Sequence, residues 1–221
     1  MPMTLNRLAA ALALAAATAL PAMAQTVLAP TAYDMPNGYG QAHDGSNNYW
    51  DKAYTGNGNT SLDGDPLSGG LGDLTDGVIA TGNWNEVENL EGTGPYVGWS
   101  LIDPVITFHF AQAHTFSHVK IWHDDANGYG NVATPMGFTV TVGAQSTYFA
   151  ITDPGTAEPF ASTLVLGAGF TGSSLQLQVH RFDSATMLSE VQISAVPEPA
   201  SAALLAAGAG LLLALRRRSR A

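Results

Sequence analysis

Alternating apolar and polar residues predict β-strands through the second half of the chain. From residue 96 onward, short segments carry an apolar side chain at every second position, which places those side chains on one face of a strand. Clusters of Gly, Pro, Asn and Asp separate the segments, as in residues 124–130 and 153–155. The aligned apolar residues are Ile106, Phe108 and Phe110; Val119 and Ile121; Phe138, Val140 and Val142; Leu175, Leu177 and Val179; and Val191 and Ile193.

The sequence between residues 25 and 195 has no sustained helical period. Short strands joined by turns are typical of an all-β protein. We therefore predict a single antiparallel β-sandwich of the jelly-roll type over residues 70–195. Residues 25–69 are rich in Gly, Asn, Asp and aromatic residues and predict an irregular lead-in. Two interpretations of this lead-in stay open: a segment wrapped over the sandwich, or acidic loops that become ordered around cations.

The first 24 residues have the pattern of a secretory signal peptide. Arg7 precedes an apolar segment over residues 8–20, and the Ala-Met-Ala sequence over 22–24 fits a signal peptidase site. The apolar segment is too short to span a bilayer. We therefore expect a short hydrophobic helix at this end, export of the chain, and cleavage between Ala24 and Gln25.

The last segment, residues 196–221, combines three adjacent features. Pro197, Glu198 and Pro199 come first, an apolar segment over residues 200–215 follows, and Arg216, Arg217 and Arg218 begin a basic tail. A helix over the apolar segment would rise about 24 Å, less than the roughly 30 Å of a bilayer's hydrocarbon core. The arginines would hold its end on the cytoplasmic side. This order of features resembles the PEP-CTERM sorting signal of Gram-negative bacteria.

That resemblance implies a destination and a processing enzyme. An exosortase would recognise Pro197, Glu198 and Pro199, the apolar helix would anchor the chain transiently in the inner membrane, and the domain would pass to the cell surface or the extracellular matrix. An ordinary tail anchor is the alternative interpretation.

Charge and cysteine content narrow the expected partners. Between the two terminal segments, three basic residues, Lys52, Lys120 and Arg181, stand against 17 acidic residues. Such a surface repels phosphate backbones and attracts cations, so nucleic acid is not an expected partner. The chain has no cysteine, which excludes disulfides, thiol catalysis and thiolate metal sites.

Several short motifs between residues 70 and 195 resemble the discoidin-like, galactose-binding-like jelly rolls. Their order along the chain agrees with that family, whereas the segment before residue 70 has no counterpart in its usual pattern. The resemblance assigns Trp84 and Trp99 to the core. The motifs are Leu74-Thr75-Asp76-Gly77, then Thr81 and Trp84, Val97-Gly98-Trp99, Ile106-Thr107-Phe108-His109-Phe110, and the last strand Leu188-Ser189-Glu190-Val191-Gln192-Ile193.

The same resemblance implies a structural Ca²⁺ ion. In many galactose-binding-like modules an Asp-Gly loop and a glutamate of the last strand meet at one Ca²⁺. By position the ligands are Asp76, Thr81 and Glu190, with backbone carbonyls near residues 73 and 78. Carboxylate, hydroxyl and carbonyl oxygens are the ligands that Ca²⁺ prefers. The alternative is an ordinary Asp-Gly turn and a solvated glutamate.

A second acidic group, Asp63, Asp65 and Asp73, lies among glycines. It could also bind Ca²⁺, although turn chemistry explains it more simply.

One aromatic residue breaks the buried pattern. Val119 and Ile121 have buried parity, so Trp122 points outward with His118 and Lys120. The loop that follows supplies polar and aromatic residues at a strand end where modules of this kind commonly bind ligands. Flat aromatic rings cover the apolar face of a sugar while polar groups hold its hydroxyls. We predict a carbohydrate site of Trp122, Asp125, Asn127 and Tyr129. The alternative is that Trp122 packs beneath the lead-in, where Tyr49, Trp50 and Tyr54 could cover it or form a site themselves.

Catalysis has little support in the sequence. No nucleophile elbow, zinc-protease motif or phosphate-binding loop is present, and His109 and His118 are expected to be solvated rather than zinc ligands. We therefore expect a non-catalytic module that binds extracellular polysaccharide and supports biofilm or envelope organisation. The alternative is a structural matrix component without a defined ligand. A glycoside hydrolase, which would need two suitably spaced carboxyl groups, comes third.

Overall fold

Ten β-strands make up nearly half of the chain that the computed structural model describes, which is residues 26–40, 48–196 and 208. The strands are β1 (Thr26–Leu28), β2 (Ala32–Pro36), β3 (Pro66–Gly70), β4 (Val97–Ser100), β5 (Val105–His123), β6 (Gly137–Val142), β7 (Gln145–Ala150), β8 (Phe160–Val165), β9 (Thr171–His180) and β10 (Ala185–Ala195). One short helix, α1 (Trp84–Val87), and two 3-10 turns, Asp73–Thr75 and Tyr129–Asn131, lie in the loops. The expected terminal helices, the signal peptide cleavage site and the sorting motif fall outside the described residues.

The strands form two antiparallel sheets that share β5. The first part of β5 pairs with β2 and β9, and its last part, from Phe116 to His123, pairs with β10 and β8. The wide sheet has the order β3-β2-β5-β9-β6-β7. In the narrow sheet, β1 and β4 pair with opposite ends of one edge of β10, and β5 and then β8 follow on its other edge. The predicted antiparallel β-sandwich is confirmed.

The core lies between the sheets and consists of the alternating apolar residues. Every apolar position that the sequence pattern assigned to a buried strand face is buried in the structure, from Ile106 on β5 to Ile193 on β10. Trp84 and Trp99 are buried as well. This agreement has a simple cause, because successive side chains of a strand point to opposite faces and only one face of each sheet meets the other sheet.

The structure differs from the sequence prediction before residue 70. Three strands lie there: β1 pairs with the last strand, and β2 pairs with both β3 and β5 in the wide sheet. Residues 26–196 therefore form one compact unit with no boundary at residue 70. The alternating pattern did not reveal these short strands, because tyrosine hydrogen bonds and close contacts between glycines stabilise them. The Tyr54 hydroxyl donates to the Tyr33 carbonyl and accepts from the Gly70 amide, and Gly56 lies too close to Gly70 for a side chain at either position.

Candidate functional site

Four carboxylates from three parts of the chain gather around the 3-10 turn Asp73–Thr75. We call Asp51, Asp73, Asp76 and Glu190 the carboxylate cluster. The Asp73 amide donates to Asp51 Oδ1 over 3.1 Å, and the Gly77 amide donates to Glu190 Oε2 over 3.1 Å. The Asp76 carboxylate accepts from the amide two residues later over 2.7 Å. The turn thus lies between a residue of the N-terminal segment and a residue of the last strand.

Two cavities meet at Asp76. The first, about 320 Å³ in volume, is lined by Asp76, Gly77 and Glu190 together with residues of β1 and β10; we call it the Glu190 cavity. The second, about 470 Å³, is lined by Asp73, Asp76 and Thr81; we call it the Thr81 cavity. Of the three predicted calcium ligands, Asp76 borders both cavities, whereas Glu190 borders only the first and Thr81 only the second.

Carboxylate oxygens alone would not complete the ligand shell of a hard cation at this place. Within the described ranges, no three His, Cys, Asp or Glu side chains are grouped closely enough to hold a metal ion. A Ca²⁺ ion at this place would need hydroxyl and backbone carbonyl oxygens in addition to carboxylates. Thr81 and the carbonyls of the loop supply that kind of oxygen, and Ca²⁺ accepts such mixed, flexible shells.

The cluster is electrostatically uncompensated. Burial, followed by the negative charges of Asp51 and Asp76, raises the pKa of Asp73 to about 8. Burial, followed by the charge of Asp76, raises the pKa of Glu190 to about 7, against the opposing hydrogen bond from Gly77. A cation bound here would reverse both effects, because a positive charge favours ionised carboxylates.

The basic side chains of the described part of the chain are engaged elsewhere. Arg181 donates to Asp103 over 2.8 Å, and the Lys52 ammonium donates to the Ser61 hydroxyl. The Lys120 ammonium lies 4.4 Å from the centre of the Trp122 ring.

Trp122 lies on the outer face of the narrow sheet, half-buried, as its parity predicts. Its neighbours across the sheet are Glu190 on β10 and Ala161 on β8, while Lys120 stands between Gln192 and Thr163 in the next row. We call Trp122, Lys120, Gln192 and Thr163 the tryptophan patch. Sequence reasoning missed Gln192 and Thr163, because cross-strand neighbours depend on a register that a single strand pattern does not contain.

The other predicted sugar residues belong to the loop between β5 and β6. Asp125 is buried and accepts from the Asn127 amide over 3.3 Å. Tyr129 is exposed and stacks on Trp84, with 6.2 Å between ring centres and 28° between planes. The structure thus places Trp122 on the sheet face and the other three predicted residues in the loop, where Tyr129 stacks on Trp84.

The alternative cover for Trp122 is not supported by the positions of the N-terminal aromatics. Tyr49 packs with Trp84 in a small second core, and Tyr54 packs with Tyr33 in the main core. Trp50 donates to Asp63 over 2.7 Å.

The remaining acidic and histidine candidates also have local partners. The Asp65 carboxylate accepts from the Asn59 amide over 2.5 Å. His109 pairs with Asp34 over 2.8 Å.

Three further buried titratable groups lie near the end of β5. Burial raises the pKa of Asp124 to about 7 and that of Glu88 to about 7. The backbone amide of Tyr96 donates to Glu88 over 2.6 Å. Burial lowers the pKa of His123 to about 4, and its Nε2 lies 2.9 Å from the Ser162 hydroxyl. The raised pKa values of the two carboxyl groups and the lowered pKa of His123 make the stability of the folded state depend on pH in opposite directions.

Among the described residues, none belongs to a helix long and apolar enough to cross a bilayer. No match to the chain was found among curated proteins.

Solved structures give a set of similar chains at low identity. A histidine mutant of the lectin binding domain of lectinolysin, in complex with Lewis b, has 9% identity and a TM-score of 0.41, covering 79% of this chain and 94% of that one. The fucolectin of striped bass (Morone saxatilis) serum has 16% identity and a TM-score of 0.38, covering 56% and 40%. The family 32 carbohydrate-binding module of Clostridium perfringens NanJ in complex with galactose has 9% identity and a TM-score of 0.33, covering 46% and 79%.

A family model matches most of the sandwich. It describes the DS-like domain of discoidin domain-containing receptor 1/2 and matches residues 30–195. The match begins well before residue 70, in agreement with the pairing of β2 inside the wide sheet. The chain therefore belongs to the discoidin domain-containing receptor DS-like domain family.

Proposed function

We propose that this protein is an exported, non-catalytic carbohydrate-binding module that works at a cell surface or in an extracellular matrix. The observation that carries the proposal is the tryptophan patch. A half-buried indole lies on the outer face of the sheet, with an ammonium, an amide and a hydroxyl group on neighbouring positions. An aromatic face beside a few fixed polar groups is the usual composition of a sugar site.

The dimensions of the sheet set the spacing of these groups. Neighbouring strands lie about 4.8 Å apart, and alternate residues of one strand about 6.7 Å apart. Gln192 and Thr163 therefore stand on either side of Lys120, one row from Trp122. A sugar ring resting on the indole would have hydrogen-bonding groups along one of its edges, and an extended polysaccharide could continue along the sheet face.

Calcium is the second part of the proposal. Asp76, Thr81 and Glu190 are the side chains that we propose to hold Ca²⁺, with carbonyl oxygens near residues 73 and 78. The ion would have a structural role there, because it would join the loop after the 3-10 turn to the last strand. Since Glu190 stands directly opposite Trp122, loss of the ion would also disturb the tryptophan patch.

Replacement of Trp122 by alanine tests the binding function. We expect the purified protein to bind a defined glycan on an array that includes the host's own exopolysaccharide, and Trp122→Ala to weaken binding roughly 10- to 100-fold, as is usual for a central aromatic contact. A chelator should weaken binding of the unsubstituted protein as well.

Tyr148→Ala is the matched control, because Tyr148 is 51% exposed and lies on β7 of the wide sheet. Equal losses in both variants would show that the patch is not the site. Absence of saturable binding in a folded sample, with and without calcium, would favour the structural matrix component instead, and release of sugar would favour the hydrolase.

Export and sorting form the third part. We propose that signal peptidase cleaves between Ala24 and Gln25, and that an exosortase processes the chain at Pro197, Glu198 and Pro199, with Arg216, Arg217 and Arg218 retaining the tail at the inner membrane.

Replacing Pro197, Glu198 and Pro199 together by alanine should leave the chain unprocessed in its native host. An immunoblot of membrane and released fractions would then show the longer form in the membrane. Ser201→Ala, just beyond the motif, should process normally. Normal processing of the triple variant would rule out this motif as the recognition site.

A further inference from the structure

Strand β7 forms one edge of the wide sheet and is paired on one side only. Within the described residues, β6 is the only strand that pairs with it. The amide of Ile151, the next residue after β7, donates to the Met136 carbonyl on the β6 side over 3.0 Å. Successive residues of a strand direct their amides to alternate sides. The amides that point away from β6 are therefore those of Ser146, Tyr148 and Ala150.

The sequence of β7 lacks the features that usually keep an edge strand from pairing. Native edge strands are commonly protected by a charged residue, a proline, a bulge, short length or a covering segment. β7 has six residues in unbroken register with β6, and none of them is charged, proline or glycine. At the opposite edge of the same sheet, β3 begins with Pro66, and Asn57 covers it through two backbone hydrogen bonds with Ser68, of 2.8 and 3.0 Å. β7 is therefore an edge that can accept another strand.

The hairpin that contains β7 is uncharged in an otherwise acidic chain. Residues 126–152, which include β6 and β7, contain no Asp, Glu, Lys, Arg or His, whereas the whole chain has a formal net charge of −10. Two copies of an acidic chain repel each other where their charged surfaces meet. The neutral hairpin is a surface on which two copies can approach with little charge repulsion. A basic partner would instead be attracted to the acidic surfaces, so the charge distribution favours a second copy at β7.

We propose that β7 pairs with β7 of a second copy of this chain, in antiparallel orientation about a two-fold axis, so that the two wide sheets join into one. Such a contact is self-complementary, because each copy offers the same row of backbone donors and acceptors. The two-fold axis of an antiparallel pair is perpendicular to the sheet, so both narrow sheets lie on the same side of the joined sheet. The two tryptophan patches then face the same way, and one polymer would contact both, a consequence that rests on the proposed function.

Analytical ultracentrifugation of residues 26–196, which form one compact unit, tests the pairing. We expect a monomer–dimer equilibrium with a dissociation constant below about 1 mM, as suits a small interface. Ser146→Lys/Ala150→Lys puts positive charge on exposed positions of both facing strands and should weaken the dimer at least about 10-fold. Val105→Lys/Gln176→Lys is the matched control. It adds the same charge to exposed positions of β5 and β9, which are inner strands of the same sheet, and should leave the dimer unchanged.

Hydrogen exchange measured by NMR locates the contact within the dimer. The amides of Ser146, Tyr148 and Ala150 should gain protection as the protein concentration rises. Those of Thr147 and Phe149, which point toward β6, should change little. If the double-lysine protein does not fold, Ser146→Lys alone should still weaken the dimer and reduce this protection.

Three results would overturn the inference. The first is a protein that remains monomeric at about 1 mM. The second is a dimer that both double variants affect equally, which would place the contact elsewhere. The third is assembly into species larger than a dimer, which would show that β7 pairs with a different edge instead of with itself. None of these measurements uses a glycan or calcium, so the proposed function stands or fails separately.

Discussion

Raising the pH from 5 to 8 in the presence of a chelator should destabilise the folded protein by several kcal/mol. Burial raises the pKa of Asp73 to about 8 and those of Glu88, Asp124 and Glu190 to about 7. In the unfolded chain these carboxyl groups titrate near 4. Between those values the folded state holds protons that the unfolded state has released, so stability falls as the pH rises. Each unit of pKa shift corresponds to about 1.4 kcal/mol.

For His123, the stability of the folded state changes with pH in the opposite direction. Its pKa is lowered to about 4 by burial, so it stays neutral in the folded protein while the unfolded chain takes up a proton near pH 6.5. Its contribution is therefore lost as the pH falls from about 6.5 to 4. Because four carboxyl groups outweigh one imidazole, the sum of the two effects still predicts stability that falls from about pH 4 to pH 8 when calcium is removed.

Thermal unfolding at pH 5, 6.5 and 8, in EDTA and in CaCl₂, checks this prediction. Calcium should raise the melting temperature most at pH 8, because the ion compensates the charges of Asp73 and Glu190. Asp124→Asn is the matched control: Asp124 lies near Tyr96, outside the carboxylate cluster, so its replacement should flatten the pH dependence and keep the response to calcium. A melting temperature that rises steadily from pH 5 to 8 in EDTA would contradict the assignment of these carboxyl groups as buried and protonated.

Replacing Phe108 by alanine should cost about 3–5 kcal/mol of unfolding free energy, which approaches the whole stability of an ordinary domain. Phe108 is fully buried on β5, where β2 and β9 flank it, and its ring centre lies 5.9 Å from that of Tyr33. The variant removes an aromatic ring where both neighbouring strands are fixed by hydrogen bonds, so the cavity has little room to collapse.

Urea unfolding monitored by tryptophan fluorescence measures this loss. Phe182→Ala is the matched control, since Phe182 is 72% exposed and its loss should change the unfolding free energy by less than about 0.5 kcal/mol. Equal effects of the two substitutions would show that Phe108 does not lie in the core. If Phe108→Ala gives no folded protein, Phe108→Leu should still fold with a smaller loss and preserve the ranking.

The strands of the second half could be predicted because period-2 alternation is local. Phe138, Val140 and Val142 point to one face whatever their partners are, so the pattern alone assigns them to the core. The N-terminal strands could not be predicted in this way. Tyr33 and Leu67 are buried in strands of only five residues, too short and too rich in glycine and polar residues to show a period.

The residues of the candidate sites differ in the same way: some could be proposed from local sequence, and others depend on contacts between distant segments. Asp76 and Glu190 could be proposed from the order of short motifs, and the structure brings both to the borders of one cavity. Asp51 could not, because its contact with Asp73 spans a segment without periodicity and depends on a backbone amide. Trp122 could be assigned to the outer face by parity, whereas its pairing with Glu190 required the strand register.

The pairing of β1 with β10 decides how the folded domain would carry a mechanical load. Thr26 is paired with Ala195, so both ends of the described sandwich leave from the same place. Pulling those two ends apart would peel the three residues of β1 away one hydrogen bond at a time, at low force. A pull between the tryptophan patch and Val196 follows another path: it passes from β5 into β10 along a ladder that runs from Leu188 to Ala195 and loads those hydrogen bonds together, in shear. A module tethered through β10 and holding a polymer through β5 would therefore resist detachment while most of the sandwich remained unloaded.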